Sequence, residues 1–158
     1  MRCGTDTADG RVVVGGDFTH VHNAQGFNIF RGHIARFTVN GLLDDTFVAN
    51  PGADNPIYAM QRQEPKDKIF IGGAFTAYNG EVRNYVARLN PNGSVDTTFD
   101  PKAGANGPVY AFDWNNYIRR VRIVGGFTIY QNVSRPRIAQ LFASAGSFAP
   151  GLLLLLND

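Results

Sequence analysis

Three histidines are the residues of this chain best suited to bind a metal ion. His20 and His22 are separated by one residue, so on a strand both imidazoles face the same side, and His33 follows nearby in the sequence. Imidazole is a common zinc ligand, and a three-histidine site is one interpretation. The equivalent positions of the repeat described below carry Ala77, Asn79 and Tyr85. We therefore favour solvated loop histidines and predict no metal site.

Aspartates recur at a fixed spacing. Asp44-Asp45 and Asp96 stand at an offset of 52 residues, each shortly before a Thr-Phe pair. Two carboxylates are the machinery of glycoside hydrolysis, so a glycosidase site is one interpretation. A feature repeated in successive units more often serves each unit, and aspartates of this kind accept hydrogen bonds from backbone N–H groups in turns. We therefore predict a structural role and no catalytic residues.

Arginines also recur, at Arg36 and Arg88, while Gln140 stands at the third equivalent position. They could form an anion-binding ring along a central channel. A partly buried arginine that satisfies neighbouring carbonyl groups is the simpler interpretation, because guanidinium offers five donors.

Oxygen-bearing residues are dense in the segment 90–96 (NPNGSVD). Their spacing is similar to that of calcium loops, but the full loop pattern is missing. The equivalent segment 38–44 replaces two of the oxygen ligands with Thr38 and Leu42. Calcium binding is therefore the weaker interpretation, and a turn is the stronger one.

Five aromatic residues could form a sugar-stacking surface. Tyr58 and Tyr110 occupy equivalent repeat positions, so we place them in the core. Tyr78 and Tyr130 follow the Phe-Thr motif closely and are expected at a rim, which makes them the candidate ligand-binding residues. Phe30 completes the set.

An internal repeat supplies the elements that must position these side chains. The string Gly15-Gly16-Asp17-Phe18-Thr19 recurs as GGAFT at 72–76 and, one residue shorter, as GGFT at 125–128. The segments 33–47 and 85–99 align without gaps and share seven of fifteen residues. The first copy carries five extra residues between His20 and Gly32, which we expect to form a loop.

Each unit contains four short strand candidates, for example 56–61, 68–75, 85–90 and 94–99. The run Ile69-Phe70-Ile71, matched by Val12-Val13-Val14 and by Arg122-Ile123-Val124, is apolar without alternation, as in a strand covered on both faces. The glycine pair after each run predicts a bulge or a close backbone approach. A period of about 52 residues with four strands is typical of a propeller blade.

The sequence thus predicts an all-β, β-propeller-type fold in one repeat domain over 1–158. Repeat 1 covers about 9–59, repeat 2 about 60–111 and repeat 3 about 112–151, and a last strand covers 152–156. Three four-stranded blades are too few to close a ring. We therefore expect a partial propeller that is completed by self-association, as a closed oligomer or a filament, or by the remaining blades of a longer propeller.

The repeat strings resemble the delta-60 repeat family. The strings VVVGGDFT at 12–19, IFIGGAFT at 69–76, ARLNPNGSVDTTF at 87–99 and GPVYA at 107–111 are similar to family units that read approximately KILVGGDFT, RIARLNPDGSLDTSF and GPVYA. The third copy and residues 151–158 depart from this pattern. The resemblance implies a bacterial β-propeller protein, secreted or attached to the cell surface, with no shared catalytic residues.

Composition argues against several classes of function. Charged residues make up 18% of the chain and the net charge is +2, too little to indicate nucleic-acid binding. Cys3 is the single cysteine, so no intrachain disulfide forms. Residues 1–10 lack the apolar core of a signal peptide, although a secreted chain without its leader would read the same, and the apolar run 152–156 is too short to span a membrane.

We therefore expect a non-enzymatic, extracellular or cell-surface scaffold that mediates assembly or adhesion and needs no cofactor. The alternative is a carbohydrate-binding or glycoside-cleaving propeller. The partners expected are further copies, further blades or a glycan.

Overall fold

The structure is a computed structural model that describes residues 1–115 and 117–142. These residues form antiparallel strands and no helix, which confirms the all-β prediction. Three three-stranded sheets follow one another, and we call them the first, second and third blade. The first blade contains β1 (Cys3–Asp6), β2 (Val12–Gly15) and β5 (Ile34–Phe37). The second contains β6 (Ile57–Gln63), β7 (Lys68–Gly73) and β10 (Val86–Leu89), and the third contains β11 (Val109–Asn115), β12 (Arg120–Gly125) and β15 (Ile138–Phe142).

The strand that leads into the glycine motif is the middle strand of every blade, namely β2, β7 or β12. The first strand of each blade lies on the inner side, because β6 packs against both β1 and β11. The three blades therefore meet along these inner strands, where a propeller has its axis. Within the described ranges, no helix is long and apolar enough to cross a membrane.

The predicted fourth strand is reduced to single bridges. Leu89 bridges to Val95 in the second blade, and Phe37 bridges to Leu43 in the first. A tight turn precedes each bridge, with Gly93 N donating to Asn90 O at 2.9 Å, and the turn at Asp96 follows it directly. The prediction of a full strand over 94–99 is therefore wrong. The predicted strand 152–156 lies outside the described residues.

A small hairpin joins the second and third strands of each blade. In the first blade it is β3 (His20–His22) with β4 (Asn28–Phe30). In the other blades it is β8 (Ala77–Tyr78) with β9 (Glu81–Val82), and β13 (Ile129–Tyr130) with β14 (Val133–Ser134). The five extra residues of the first copy thus lengthen a hairpin, whose turn is closed by hydrogen bonds from Gln25 N and Phe27 N to Asn23 Oδ1.

The linker between blades is tied to the hairpin of the blade that follows. Asp54 Oδ1 accepts hydrogen bonds from Thr76 N at 2.8 Å and Ala77 N at 3.0 Å. Asn106 repeats the contact one unit later with Thr128 N at 2.8 Å. The threonine of the repeated Phe-Thr motif adds its hydroxyl to this contact: Thr76 Oγ1 donates to Asp54 Oδ2 at 2.7 Å, and Thr128 Oγ1 accepts from Asn106 Nδ2 at 3.0 Å.

The register of the third blade corrects the sequence alignment. Gly125 pairs with Val109 in the same way that Gly73 pairs with Ile57. Position for position, the third copy therefore lacks no residue, and the prediction that it is one residue shorter is wrong. Its apolar run is 121–123 instead of 122–124. Val124 consequently occupies the place of Gly72.

Two hydrophobic clusters between neighbouring blades form the core. The cluster between the first and second blades includes Val13, Ile34, Ile69, Ile71 and Leu89. The cluster between the second and third blades includes Phe70, Val86, Val121, Ile123 and Leu141. Successive residues of β7 therefore face opposite neighbours, as expected for a strand covered on both faces.

Glycines let the blades approach one another. A Cβ atom at Gly72 would lie 2.6 Å from Cγ1 of Val109 on the third blade. A Cβ atom at Gly15 would lie 2.6 Å from Cε of Met60 on the second blade. Both distances are far below van der Waals contact, so the predicted close approach is confirmed.

Candidate functional site

A buried ion pair lies beside β5, the strand of the first blade that is farthest from its inner strand. Nε of Arg36 donates to Oδ2 of Asp44 at 2.8 Å, and Nη1 of Arg11 donates to the same oxygen at 2.8 Å. The other carboxylate oxygen accepts from the backbone N and the hydroxyl of Thr46, at 3.0 and 2.6 Å. Burial alone would raise the pKa of Asp44, but the hydrogen bonds from Thr46 and Arg36 outweigh it and lower the pKa to about 2.

The second blade repeats this network. Nε of Arg88 and Nζ of Lys68 both lie 2.6 Å from Oδ2 of Asp96. Thr98 donates to the other oxygen from its backbone N and its hydroxyl, at 3.0 and 2.7 Å. Burial again opposes ionisation, and the contacts from Lys68, Thr98 and Arg88 prevail, so the pKa of Asp96 lies well below its usual range. The predicted turn contacts of both aspartates are confirmed.

The arginines also bind the chain around them. Nη1 of Arg36 donates to the Pro91 carbonyl at 2.6 Å, which confirms the predicted carbonyl contact for this residue. Its guanidinium lies 4.8 Å from the centre of the Phe47 ring, and that of Arg88 lies 5.2 Å from the centre of the Phe99 ring. Each guanidinium is thus committed to a carboxylate and an aromatic face of its own blade. The main partner, aspartate, was not foreseen from the sequence.

The histidines lie in different environments. His33 is buried, with Nδ1 3.1 Å from the Gly16 carbonyl oxygen, so the prediction of a solvated loop histidine is wrong for this residue. His20 lies on the exposed hairpin, where its ring meets the edge of Phe30 at 5.4 Å between centres. Within residues 1–115 and 117–142, no group of three His, Cys, Asp or Glu side chains is placed to hold a metal ion.

The oxygen-rich segment 90–96 forms a turn. Nδ2 of Asn90 donates to the Ser94 hydroxyl at 2.9 Å. Oδ1 of Asn92 accepts from the backbone N and the hydroxyl of Ser94, at 3.1 and 2.8 Å. The oxygens that suggested a calcium loop therefore hydrogen-bond to the segment itself.

The expected placement of the tyrosines is inverted. Tyr78 and Tyr130, expected at a rim, are buried in the clusters between the blades. The Tyr78 hydroxyl donates to the Gly93 carbonyl at 3.0 Å, and burial raises the pKa of both residues. Their rim placement is wrong, because the hairpin that carries them folds back onto the core. Their role as ligand-binding residues, which was inferred from that placement, stays a prediction.

Tyr58 and Tyr110, expected in the core, are accessible instead. The register of each inner strand shifts between Ile57 and Ala59 and between Val109 and Ala111, so each tyrosine is the extra residue of a β-bulge. The bulge turns the ring out of the packed face, and Tyr110 is 54% exposed.

The two bulged tyrosines lie against each other across the inner strands of the second and third blades. Their ring centres are 5.8 Å apart, and the Arg2 guanidinium lies 5.0 Å from the centre of the Tyr58 ring. Farther along the same strands a cleft of about 320 Å³ is lined by Thr5, Asp6, Gln61, Arg62, Glu64 and Trp114.

Two sheet faces have no neighbouring blade within the described residues. We call the side of the first blade that carries Val12, Val14, Ala35 and Phe37 the first-blade outer face. The third-blade outer face carries Asp113, Arg122, Val124, Ile138 and Gln140. The repeat count predicts two uncovered ends, and the strand pairing shows which residues form these two faces.

Comparison with known proteins gives one family. Residues 7–47 and 66–99 match the family described as "Domain of unknown function (DUF5122) beta-propeller". The two matched segments include the middle strand and the arginine–aspartate network of the first and second blades. No match was found among the curated proteins or among the solved structures.

Proposed function

We propose that this chain, whose residues 7–47 and 66–99 match the DUF5122 β-propeller family, is a non-enzymatic scaffold outside the cell that mediates assembly or adhesion. This family is the delta-60 repeat type of bacterial propeller, so the resemblance of the repeat strings is confirmed. The observation that carries the proposal is the apolar first-blade outer face.

The first-blade outer face has the composition of a buried blade face. Val12 and Phe37 pair with each other across the sheet as Ile69 and Leu89 do in the second blade. Ile69 and Leu89 are fully buried by the neighbouring blade, whereas Val12 is 41% exposed. Val14 and Phe37 are half-buried and Ala35 is buried, so part of the apolar surface of this face stays accessible around Val12. Accessible apolar surface that extends over several residues marks a site of interaction. We commit to a second copy of this chain as the occupant, docked through its own first-blade outer face, because two identical apolar faces can cover each other around a two-fold axis.

The non-enzymatic part of the proposal is supported by the use of the charged residues. The aspartates that suggested glycoside chemistry, Asp44 and Asp96, serve separate blades, and each accepts hydrogen bonds from the cations and the threonine beside it. These contacts stabilise a folded blade. Location outside the cell is supported by the resemblance to the delta-60 repeats.

Sedimentation equilibrium over a hundredfold range of concentration tests the assembly. We expect the native particle to exceed the 17.3 kDa of one chain, increasingly so at higher concentration. Val12→Asp should shift the association to higher concentration, because it buries a charge in the contact. Val82→Asp, at an exposed valine of the β8–β9 hairpin, is the matched control and should leave the mass unchanged. A particle of one chain at all concentrations, or equal effects of the two variants, overturns the proposal.

Carbohydrate binding is the second candidate, favoured by the accessible Tyr58–Tyr110 pair. Aromatic faces beside polar groups suit sugar rings, and the cleft with Trp114 and Arg62 continues along the same strands. Binding on a glycan array that disappears in Tyr110→Ala, with no turnover of the glycan, would identify a lectin.

A further inference from the structure

We infer that the third-blade outer face is a cap, a surface that refuses a further blade of this repeat. The inference deepens the proposed function, since it limits assembly to the other end of the chain. It also means that copies do not join head to tail, because that arrangement would place the third-blade outer face of one copy on the first-blade outer face of the next.

A position-by-position comparison with the second blade carries the inference. The second blade turns Gln61, Phe70 and Gly72 toward the third, and pairing registers equate these with Asp113, Arg122 and Val124. Phe70 is fully buried in the cluster between the two blades. Its equivalent, Arg122, is a charged residue. The third blade has therefore exchanged the central apolar side chain of this face for a cation.

The exchange at the glycine position is a steric barrier. At Gly72 even a Cβ atom would lie 2.6 Å from Cγ1 of Val109 on the next blade, and at Gly15 it would lie 2.6 Å from Cε of Met60. The junction between the second and third blades therefore requires glycine at position 72, where the Phe112 ring also lies within 2.9 Å, whereas at Gly15 the nearest atom is the end of the flexible Met60 side chain. Val124 has three carbon atoms in this place and is 43% exposed. A blade that docked as the third blade docks on the second would collide with it.

The ion pair adds a desolvation barrier. Arg122 and Asp113 face each other on paired strands, Nη2 of the arginine contacts Oδ2 of the carboxylate, and both side chains are more than half exposed. Covering them would remove two charges from water, and the loss of hydration exceeds what their mutual attraction returns. Polar outer faces on terminal units are the known device by which repeat arrays end.

The remaining positions agree. Gln140 takes the place of Arg88, whose buried network with Asp96 completes the second blade. Gln140 is exposed, and Ile138 is the one large apolar side chain that this face shares with the second blade, where Val86 is buried. A single valine-to-isoleucine match does not restore the buried surface that Phe70 and Val86 form together.

The inference is tested by giving the third blade the side chains that the second blade turns toward it. The triple variant Asp113→Gln, Arg122→Phe, Val124→Gly recreates the side chains of Gln61, Phe70 and Gly72. In sedimentation equilibrium we expect it to associate at a concentration about tenfold or more below that of the native chain and to form particles that grow with concentration. Adding Val12→Asp to the triple variant should abolish the gain, because head-to-tail growth needs both faces.

Two further variants separate docking from unspecific adhesion. Arg122→Phe alone exposes the same ring but keeps Val124, so its association should increase little over that of the native chain. Val124→Gly alone disturbs the fold least and adds no apolar surface, so its association should increase less than that of the triple variant. A folded triple variant that associates no more than the native chain, or a gain that survives Val12→Asp, overturns the cap. If the native chain stays a single copy while the triple variant grows, the proposed function fails and the cap stands.

Discussion

The Nε atom of Arg88 lies 2.6 Å from Oδ2 of Asp96, and both side chains are only 3% exposed. The same pair recurs between Arg36 and Asp44 in the first blade at 2.8 Å. A buried ion pair adds little stability by itself, since its attraction is offset by lost hydration. Removing one partner of the pair is costly, because the charge of the other partner then stays buried without compensation. This asymmetry explains why the arginine, the aspartate and the threonine occur together in both copies.

Asp44→Asn should lower the free energy of unfolding by about 3 kcal/mol, since it removes the charge that compensates Arg36 and Arg11. Its neighbour supplies the matched control. Asp45 is 74% exposed and pairs only at the surface with Arg31, so Asp45→Asn should cost less than about 1 kcal/mol. Urea denaturation followed by circular dichroism measures both variants. Similar losses for the two would contradict a buried role of Asp44.

Gly72→Ala should destabilise the chain by about 1–3 kcal/mol, because the added Cβ atom meets Val109 and the Phe112 ring across the blade junction. Gly126→Ala is the control, since its Cβ atom would have no neighbour closer than 3.3 Å and the equivalent residue of the second blade is Ala74. That variant should be neutral. Thermal unfolding of the pair decides, and a tolerated Gly72→Ala would mean that the blades are packed less closely than described.

Tyr78→Phe should cost about 1 kcal/mol, because it leaves the buried Gly93 carbonyl without the hydroxyl that donates to it. Tyr130 stands at the equivalent position of the third blade, and its buried hydroxyl makes no hydrogen bond of good geometry to any described residue. Tyr130→Phe should therefore be neutral or slightly stabilising. Equal losses in chemical denaturation would argue that Tyr130 has a partner too.

The repeat made most of the fold predictable. Seven identities between 33–47 and 85–99 located the third strands and the aspartate turns, because equivalent sequences form equivalent backbones. The glycine motif predicted a close approach of the blades, because glycine leaves room for a neighbouring chain where a side chain at Gly72 would collide with Val109.

Other features depend on relationships that strings of residue types do not display. The equivalent repeat positions of Tyr58 and Tyr110 predict core residues, but a bulge in the inner strand turns both rings out of the packed face. Tyr78 and Tyr130 looked peripheral because they follow the motif, yet their hairpin folds onto the core. The two glycines at 125–126 suggested a deletion, and only strand pairing shows that Val124 has replaced the first glycine.

The contact of Asp54 with the hairpin at Thr76, repeated by Asn106 at Thr128, places each seam inside the repeating segment. A duplication that starts in one linker and ends in the next would copy the linker residue together with the hairpin that it binds. Such arrays can therefore lengthen during evolution without a new contact between linker and hairpin. For the same reason, whole blades can be inserted or removed in engineered variants by cutting in the linkers.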